Sequence, residues 1–299
     1  MKIVNISGGL GNQMFQYAFA VFLKKHYPNE AIYIDTHHYH YIFLKKIKAT
    51  NLHNGFELAK IFPHATIPIA HFRQVSRVSY YIPNYFLSRL CRRLLPVRKT
   101  EMIIPYSKNY IYLDEVFTEG DRYYEGNWQC IDYYQDIKDT FFDIFQHPAP
   151  NDYNKEMIEK ISTTKSVGMH IRRGDYLQSA AFNNICDITY YKKAISRLTS
   201  KDSKYTFFIF SNDMDWCREN IAPLLNNSDI VYVTDNKGKD SFWDMFLMTY
   251  CRHLVIANSS FSWWGAFLNK NVESVLVPAR WSNNDHIPHH LYDPSWIKI

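Results

Sequence analysis

One short run of the sequence, His-Ile-Arg-Arg-Gly-Asp-Tyr at residues 170–176, carries the side chains best suited to hold a phosphate. Arg172 and Arg173 each present a planar guanidinium that can hydrogen-bond two phosphate oxygens at once, and their charge persists at every working pH. Asp175 follows closely enough to form a surface ion pair with either arginine. Phosphate binding and a purely structural ion pair therefore both stay open from this run alone.

A second polar run, formed by Asn258, Ser259 and Ser260, stands just before a segment with the pattern of a helix. The free N–H groups at a helix N-terminus, together with the helix dipole, favour a bound anion. A single serine in this place is commonly an ordinary N-cap. Two phosphate-compatible runs in the same half of the chain make one shared polyanionic ligand the better interpretation.

Two further polar runs are weaker signals. The Ser-Asn-Asp run at residues 211–213 could cap the next helix and nothing more. The Gly-Leu-Gly-Asn-Gln run at 9–13 looks like a dinucleotide-binding fingerprint, but Met14 stands where the third glycine should be, which disfavours hydride transfer. The backbone at Gly11 still allows a ligand to approach closely, and the Asn12 carboxamide could point into a cleft between two domains.

The elements that must position these runs are short apolar strands alternating with helical patterns. The pattern predicts a strand at 2–7, a glycine turn followed by a helix at 8–22, and a second strand at 31–35. Together these elements form a βαβ unit. After a proline-containing linker at 148–150, strands are predicted at 166–171, 206–210, 230–233, 254–257 and 275–277, with helices at 189–198, 214–225, 242–251 and 263–268. Repeated βα units imply a parallel sheet, and ligands of such sheets bind at the carboxyl ends of the strands. We expect two domains, 1–150 and 151–299; between 37 and 148 no clear strand period is visible.

Composition restricts the class of protein. The 299 residues are 46% hydrophobic and 21% charged, which indicates a globular chain, and the net charge of +5 is too small to suggest nucleic-acid binding. The 23 tyrosines indicate either a core rich in rings or a surface that stacks on ligands. Five cysteines without a CxxC pair favour neither a zinc ribbon nor a disulfide framework. No signal-peptide pattern or long apolar segment is visible, so we expect a cytoplasmic location.

Four motifs together resemble, in order, those of the α-1,2-fucosyltransferase family. They are GGLGNQMFQYAFA at 8–20, HIRRGDY at 170–176, FSNDMDW at 210–216 and NSSFSWWGAFL at 258–268. The resemblance implies inverting transfer of L-fucose from GDP-β-L-fucose to the 2-hydroxyl of a β-galactoside in a surface glycan, without a required metal. It also implies an α/β fold of GT-B type, with two Rossmann-like domains facing a cleft, the N-terminal one binding the acceptor and the C-terminal one binding GDP-fucose.

The resemblance also suggests roles for single residues. Arg172, supported by Arg173, would stabilise the departing diphosphate, and Ser259 and Ser260 would hold the β-phosphate, with Asn258 among the donor-binding residues. On the guanine side, His170 would contact the base, and Asp244 would accept hydrogen bonds from its N1 and N2 donors, which selects guanine over adenine. Asp213 would support the fold or position the donor loop.

The catalytic base is less clear from the sequence. Related core fucosyltransferases carry a glutamate shortly after the arginine motif, whereas residues 177–186 contain no carboxylate. Asp175 is the nearest candidate, and orienting Arg172 is an equally good role for it; Asn12 completes the expected catalytic set. The alternative functions are another GDP-sugar transferase, such as a mannosyltransferase, or a non-catalytic carbohydrate-binding protein.

A final segment, 71–99, combines seven Lys or Arg residues with many Leu, Phe and Tyr and contains no acidic residue. This composition is typical of an interfacial amphipathic stretch, and it predicts peripheral contact with the cytoplasmic face of a membrane, where the acceptor would be lipid-linked. A solvated basic face of the fold is the alternative, and Pro83 prevents one continuous helix.

Overall fold

The computed structural model describes residues 1–40, 54–81, 85–200, 204–225, 228–284 and 290–299. The chain divides into two compact units, the first comprising Met1–Gln146 with Pro288–Leu291 and the second His147–Ile287 with Tyr292–Ile299. A short C-terminal segment is therefore assigned to the first unit, which the linear division at 150 and 151 did not anticipate.

The first unit contains a sheet of four parallel strands. They are β1 Lys2–Asn5, β2 Ile32–Asp35, β3 Glu101–Ile103 and β4 Arg122–Glu125, in the order β2-β1-β4-β3. Between β1 and β2 runs the helix α1, Leu10–His26, which begins after Gly8 turns the chain with a φ of 78° and ends in the basic run Lys24, Lys25 and His26. The predicted βαβ unit is confirmed.

The middle of the chain supplies β3 and β4, which the sequence pattern did not reveal. Tyr123 and Tyr124, adjacent in β4, are both fully buried, so the strand lacks the alternation of buried and exposed residues that identifies a strand in sequence. The short helices of this unit are α2 His37–His40, α3 Leu58–Ile61, α4 Phe72–Val78, α5 Tyr85–Leu94 and α6 Lys138–Ile144. Many of the aromatic residues form its core: Phe19, for example, stacks on Trp128 with ring centroids 3.9 Å apart.

The second unit contains a sheet of six parallel strands. They are β5 Ser166–Ile171, β6 Thr206–Ser211, β7 Asp229–Val233, β8 His253–Val255, β9 Ser274–Val277 and β10 Ile297–Lys298, in the order β10-β9-β8-β5-β6-β7. Every residue of β5 is buried, as expected for a central strand of a sheet covered on both faces. Together with the first sheet, this confirms the predicted α/β class with two parallel-sheet domains.

The helices of the second unit are α7 Asp152–Thr163, α8 Gly174–Leu177, α9 Ile188–Thr199, α10 Met214–Trp216, α11 Trp243–Met248 and α12 Ser260–Phe267. The helix predicted over 214–225 is a composite, because α10 continues as a π turn, Cys217–Ile221, and a 3-10 turn, Ala222–Leu224. Helix α7, which the sequence did not suggest, is capped by the Asn151 side chain, which accepts from the Asn154 N–H.

The basic segment 71–99 is divided between α4 and α5, with residues 82–84 outside the described part of the chain. Three of its described basic side chains bond within the protein: Arg77 pairs with Asp121 at 3.4 Å, Arg92 pairs with Glu101 and Glu125, and Arg98 donates to the carbonyls of Ser76 and Arg77. The charge that this segment presents to solvent is thus smaller than its composition suggests. Within the described residues, every helix is too short or too polar to pass through a bilayer.

Candidate functional site

The strand order of the second unit places the two phosphate-compatible runs side by side. The chain leaves β5 toward β6 and β7 on one side of the sheet, then crosses to β8, β9 and β10 on the other side. Strands β5 and β8 are hydrogen-bonded neighbours, so the loops that follow them diverge in opposite directions. Such a switch in strand order opens a crevice at the carboxyl edge of a parallel sheet, where ligands bind. Residues 172–176 follow β5 and residues 256–260 follow β8.

His170, near the end of β5, is buried and electrically neutral. Burial, followed by the nearby charge of Arg172, lowers the pKa of this imidazole to about 3. Its Nδ1 has no hydrogen-bond partner among the residues that the structure describes, and its ring centroid lies 6.0 Å from that of Phe261 in α12. A neutral imidazole offers one donor and one acceptor, which suits a base or a hydroxyl rather than a phosphate.

Arg172 is oriented by Asp175. One terminal nitrogen, Nη2, lies 2.9 and 3.0 Å from the two oxygens of the Asp175 carboxylate. The guanidinium also stands over the ring of Tyr176, 5.5 Å from its centroid. The Nε atom is buried and has no partner in the described part of the chain, so the guanidinium retains donor capacity. Of the two roles open to Asp175, its contacts favour orienting Arg172, because both carboxylate oxygens lie within hydrogen-bonding distance of the guanidinium.

Arg173 joins the exits of β5 and β6. Its Nε donates to the Asp213 carboxylate at 3.0 Å, and its guanidinium stacks over Trp216, 4.0 Å from the ring centroid. The second oxygen of Asp213 accepts from the backbone N–H of Trp216 at 3.2 Å and caps α10. Asn212 strengthens the junction by accepting from the backbone N–H of Arg173 at 2.9 Å. The contacts of Arg173 and Asp213 are thus those of a support for the loop that carries Arg172.

Asn258 and the serines after it have different surroundings. The Asn258 amide is buried and donates to the carbonyl of Trp281 at 3.0 Å, while its oxygen accepts from the Cys186 thiol at 3.5 Å. Its backbone carbonyl accepts from the Tyr176 hydroxyl at 3.2 Å, which links the β8 exit to the β5 exit. The contacts of the Asn258 side chain are thus those of a residue that shapes the loop.

Ser259 stands at the N-cap of α12, and its hydroxyl does not cap the helix amides. Ser262 instead donates to the carbonyls of Ala257 and Ser259 at 3.4 and 3.3 Å. The hydroxyls of Ser259 and Ser260 and the first N–H groups of an eight-residue helix therefore form one anion-compatible edge. This edge follows β8, the strand adjacent to the one that leads to Arg172.

Asp244, in the first turn of α11, is an unusual carboxylate. Protein atoms surround the carboxyl group although part of the residue reaches the surface, and this burial raises its pKa to about 7, against a smaller lowering by the amide of Asn236. Asn236 Nδ2 donates to Asp244 at 3.0 Å, and Asn236 and Asn154 exchange two further bonds of 3.0 Å. The sequence did not reveal these two asparagines: Asn236, after β7, bonds the carboxylate, and Asn154, in α7, bonds Asn236. Helix α11 packs closely on α12 at Gly265. If Gly265 were a larger residue, its Cβ would lie only 3.2 Å from the Met245 carbonyl oxygen.

The remaining two residues of the expected site, Gly11 and Asn12, belong to the first unit. Both lie in the first turn of α1, where Gly11 is buried. The oxygen of the Asn12 carboxamide accepts from Gln129 Nε2 at 3.0 Å, a contact that sequence reasoning missed. The structure therefore groups His170, Arg172, Asp244 and the two serines within the second unit and places Gly11 and Asn12 in the first. In the described residues, no group of three or more His, Cys, Asp or Glu could hold a metal ion.

A parallel α/β unit with an arginine and a helix N-terminus at its switch point is compatible with a phosphate-containing ligand, and comparison with known proteins assigns the family. The chain belongs to glycosyl transferase family 11, whose family model matches residues 106–299. The predicted membership of the α-1,2-fucosyltransferase family is confirmed, and the chain is a glycosyltransferase of this family.

Individual relatives agree with this assignment. An α-1,2-colitosyltransferase of Escherichia coli is 30% identical over 99% of this chain and 98% of its own length. Galactoside α-(1,2)-fucosyltransferase 1 of Ateles belzebuth is 28% identical over 44% of this chain and 38% of its own length. Among solved structures, the fucosyltransferase NodZ from Bradyrhizobium superposes with a TM-score of 0.49 and 13% identity over 93% of this chain and 96% of that one.

Proposed function

We propose that this protein transfers L-fucose from GDP-β-L-fucose, with inversion, to the 2-hydroxyl of a β-galactoside in a surface glycan. The observation that carries the proposal is the pairing, on neighbouring strand exits, of an oriented arginine with a serine-rich helix N-terminus. Arg172 is held by Asp175 at 2.9 Å, and α12 begins at Ser260 directly beyond the adjacent strand. Together they supply positive charge and donors for the two phosphates of a nucleoside diphosphate.

The same pair serves the chemical step. When the bond from the sugar to the diphosphate breaks, negative charge grows on the β-phosphate oxygens, and donors already aimed at that position stabilise it. Because the guanidinium and the helix amides stabilise the negative charge on the β-phosphate, the diphosphate can leave without a metal ion. Arg173, whose Nε donates to Asp213 and whose guanidinium stacks over Trp216, keeps the loop in place.

The guanine end of the donor is assigned to Asp244 and His170. A carboxylate accepts from two adjacent N–H groups, and guanine offers such a pair at N1 and N2. The amide of Asn236 fixes one oxygen of Asp244, which orients the carboxyl plane. The imidazole of His170, neutral and with Nδ1 unsatisfied among the described residues, can bond the nucleoside without adding charge.

The proton of the acceptor hydroxyl must also be removed. We assign Asp175 to positioning rather than to this step, since its carboxylate is bonded to Arg172. A loose, oxocarbenium-like transition state lowers the demand for a strong base, so the hydroxyl proton can pass to a water molecule as the new bond forms and the diphosphate leaves.

The names of the relatives support a 6-deoxy sugar as the transferred group and leave two choices, fucose and colitose. Fucose and colitose differ by the hydroxyl at carbon 3, so a colitosyltransferase and a fucosyltransferase need the same diphosphate and guanine contacts. The deciding experiment offers the purified chain GDP-fucose, GDP-colitose and GDP-mannose separately, with a panel of β-galactosides, and identifies products by mass spectrometry and linkage by NMR. An α-1,2-linked fucosyl product is expected, and transfer from GDP-mannose or GDP-colitose without transfer from GDP-fucose contradicts the proposal.

We also propose that α5 and the residues after it meet the inner face of a membrane, which would bring a lipid-linked acceptor to the enzyme. The support is a run of exposed apolar side chains at Leu90, Leu94, Leu95 and Val97, from 46 to 69% exposed, next to the exposed Arg93. The insertion of leucine side chains into the bilayer and the contact of arginine side chains with anionic headgroups both strengthen binding to the membrane.

Vesicle co-sedimentation tests this contact. Binding should require anionic lipid, weaken with salt, and be lost when Arg93 and Lys99 become Glu or Leu94 becomes Ser. The matched control changes Lys192 and Lys193 on the exposed face of α9 to Glu, which alters the net charge equally. If the unaltered chain stays in the supernatant with anionic vesicles at low salt, the segment does not bind membranes.

A further inference from the structure

The carboxyl edge of the first unit's sheet carries a linked set of ionisable side chains that the donor chemistry does not use. We name it the edge cluster, and it consists of Asp35, His37, Tyr81, Arg92, Glu101, Tyr123 and Glu125. Asp35 is the last residue of β2 and Glu125 the last of β4, so both project from the edge at which parallel sheets bind ligands. Of these residues, the sequence singled out only Arg92 and Tyr81, as members of the basic segment 71–99.

One half of the edge cluster is centred on Asp35, which is fully buried. The Tyr123 hydroxyl donates to Asp35 Oδ2 at 2.7 Å, and Asn5 at the end of β1 donates to the Tyr123 oxygen at 3.0 Å. His37 Nδ1 contacts the other oxygen of Asp35, and this hydrogen bond raises the pKa of His37. Three strand ends are thereby joined by side-chain hydrogen bonds.

The other half is centred on Arg92. Its guanidinium donates to Glu125 at 2.5 Å and to Glu101 at 3.2 Å, and it lies 4.2 Å from the ring centroid of Tyr81. Glu101 is almost fully buried and also accepts from the Ser79 hydroxyl, so it is a structural anchor for this side of the unit. Glu125 differs, because 27% of its side chain is exposed at the edge, and burial of the remainder raises its pKa.

The loop after β4 is held rigidly. Trp128 adopts a φ of 53°, a strained conformation for a bulky residue, yet its ring stacks on Phe19 at 3.9 Å. Asn109 accepts from the backbone N–H of both Asn127 and Trp128. A backbone strained in this way persists only where its surroundings hold it, and such sites are concentrated where ligands are gripped. Glu125 is thus displayed from a fixed frame.

The charges of the edge cluster indicate what it can bind. The carboxylates of Asp35 and Glu101 are buried and paired with His37 and Arg92, and the partly exposed Glu125 is paired with Arg92 as well, so the edge offers no surplus positive charge for a diphosphate. A neutral, hydroxyl-rich molecule fits instead, because each sugar hydroxyl can both donate and accept a hydrogen bond. The carboxylate can accept from such a hydroxyl, and the guanidinium and the tyrosine hydroxyl can donate to it.

We propose that the edge cluster is the binding site for the acceptor sugar, with Glu125, Arg92 and the Tyr81 hydroxyl as its hydrogen-bonding groups. This inference rests on the proposed function in that the ligand is a β-galactoside. It adds the strand ends and the residues that recognise this sugar within the first unit.

The test uses Glu125→Gln, which keeps the size of the side chain, and Tyr81→Phe, which removes only a hydroxyl and keeps the ring beside Arg92. For each variant and the unaltered protein, three quantities are measured: KM for the acceptor, affinity for GDP, and saturation-transfer NMR signals of lactose without donor. Loss of a hydrogen bond to a charged group weakens binding by about tenfold or more, so acceptor KM should rise by that factor and the lactose signal should fall, while GDP affinity stays within about twofold. The matched control is Glu119→Gln, an exposed glutamate next to Thr118 and Gly120, which bond Lys2 at the opposite end of the sheet.

The outcomes separate this inference from the proposed function. If lactose binds and both substitutions weaken it, the site holds even if GDP-fucose is not the donor. If fucose is transferred but acceptor KM and the lactose signal are unchanged in folded Glu125→Gln and Tyr81→Phe, the site is refuted while the function stands. Thermal unfolding identifies any variant that fails to fold, and the conclusion then follows from the other one.

Discussion

Binding of GDP should depend on pH in a way set by Asp244. Guanine's N1 and N2 groups are hydrogen-bond donors, so they bind the ionised carboxylate. In the protein without bound nucleotide, the pKa of the Asp244 carboxyl lies at about 7. Below that pH a proton must leave before the nucleotide can bind. Affinity should therefore be nearly constant above pH 8 and fall by roughly tenfold per pH unit below 7, or about a hundredfold between pH 8 and pH 5.

The phosphates of GDP also titrate, with a final pKa of about 6, so the wild-type profile alone does not isolate Asp244. Asp244→Asn provides the comparison, because an asparagine can still accept from Asn236 but carries no charge. Its GDP affinity should be weaker at pH 8 and should show only the shallower dependence due to the phosphate. His170 does not contribute in this range, since its pKa lies at about 3.

Calorimetry in two buffers of different ionisation enthalpy measures the protons released on binding. Near pH 6 the unaltered protein should release close to one proton more per GDP than Asp244→Asn does, because roughly nine tenths of the free carboxyl groups are protonated there. Equal proton release in the two proteins, or an affinity that Asp244→Asn leaves unchanged at pH 8, refutes the assignment of this carboxylate to guanine.

The same substitution should stabilise the fold while it weakens binding. The pKa of Asp244 is raised in the folded state from 3.8, so its favourable contribution is present in acid and is lost as pH rises through about 7. At pH 8 the ionised group costs at most about 4 kcal/mol, from roughly 1.4 kcal/mol per pKa unit. Asp244→Asn should therefore unfold at a higher temperature than the unaltered protein at pH 8, with the difference shrinking toward pH 4.

Three further outcomes follow from the donor site. Arg172→Ala should lower kcat by on the order of a hundredfold or more with an unchanged circular dichroism spectrum, and near-normal turnover contradicts its role at the diphosphate. Asp175→Asn should lower kcat without removing the acidic limb of its pH profile, whereas loss of that limb identifies Asp175 as the base. EDTA should not inhibit; a loss of activity restored by Mg²⁺ or Mn²⁺ would instead point to Asp213 and Asp215, two carboxylates separated by one residue, as candidate metal ligands.

Several features of the second unit could be predicted because their causes are local. A strand such as β5 is apolar along its whole length, and the polar run that follows it marks the strand's carboxyl end. Serines before an apolar helix similarly predict a helix N-terminus, and the structure begins α12 at Ser260. Strand β4 was missed because its adjacent tyrosines are both buried, and their partners in the sheet are distant in sequence.

The sequence by itself determined the class of the protein, the alternation of strands and helices in its second half, and the residue types at the strand exits. Only the tertiary structure decided which of those residues keep their hydrogen-bonding capacity for a ligand. Arg172 and Arg173 are neighbours of the same type, yet one retains an unpartnered Nε among the described residues while the other is paired with Asp213. Arg92, one of seven basic residues in its segment, turns toward two glutamates far along the chain. The physical reason is that a charge is neutralised by whatever lies within a few ångströms of it, and that neighbour is chosen by the packing of distant segments rather than by the local sequence.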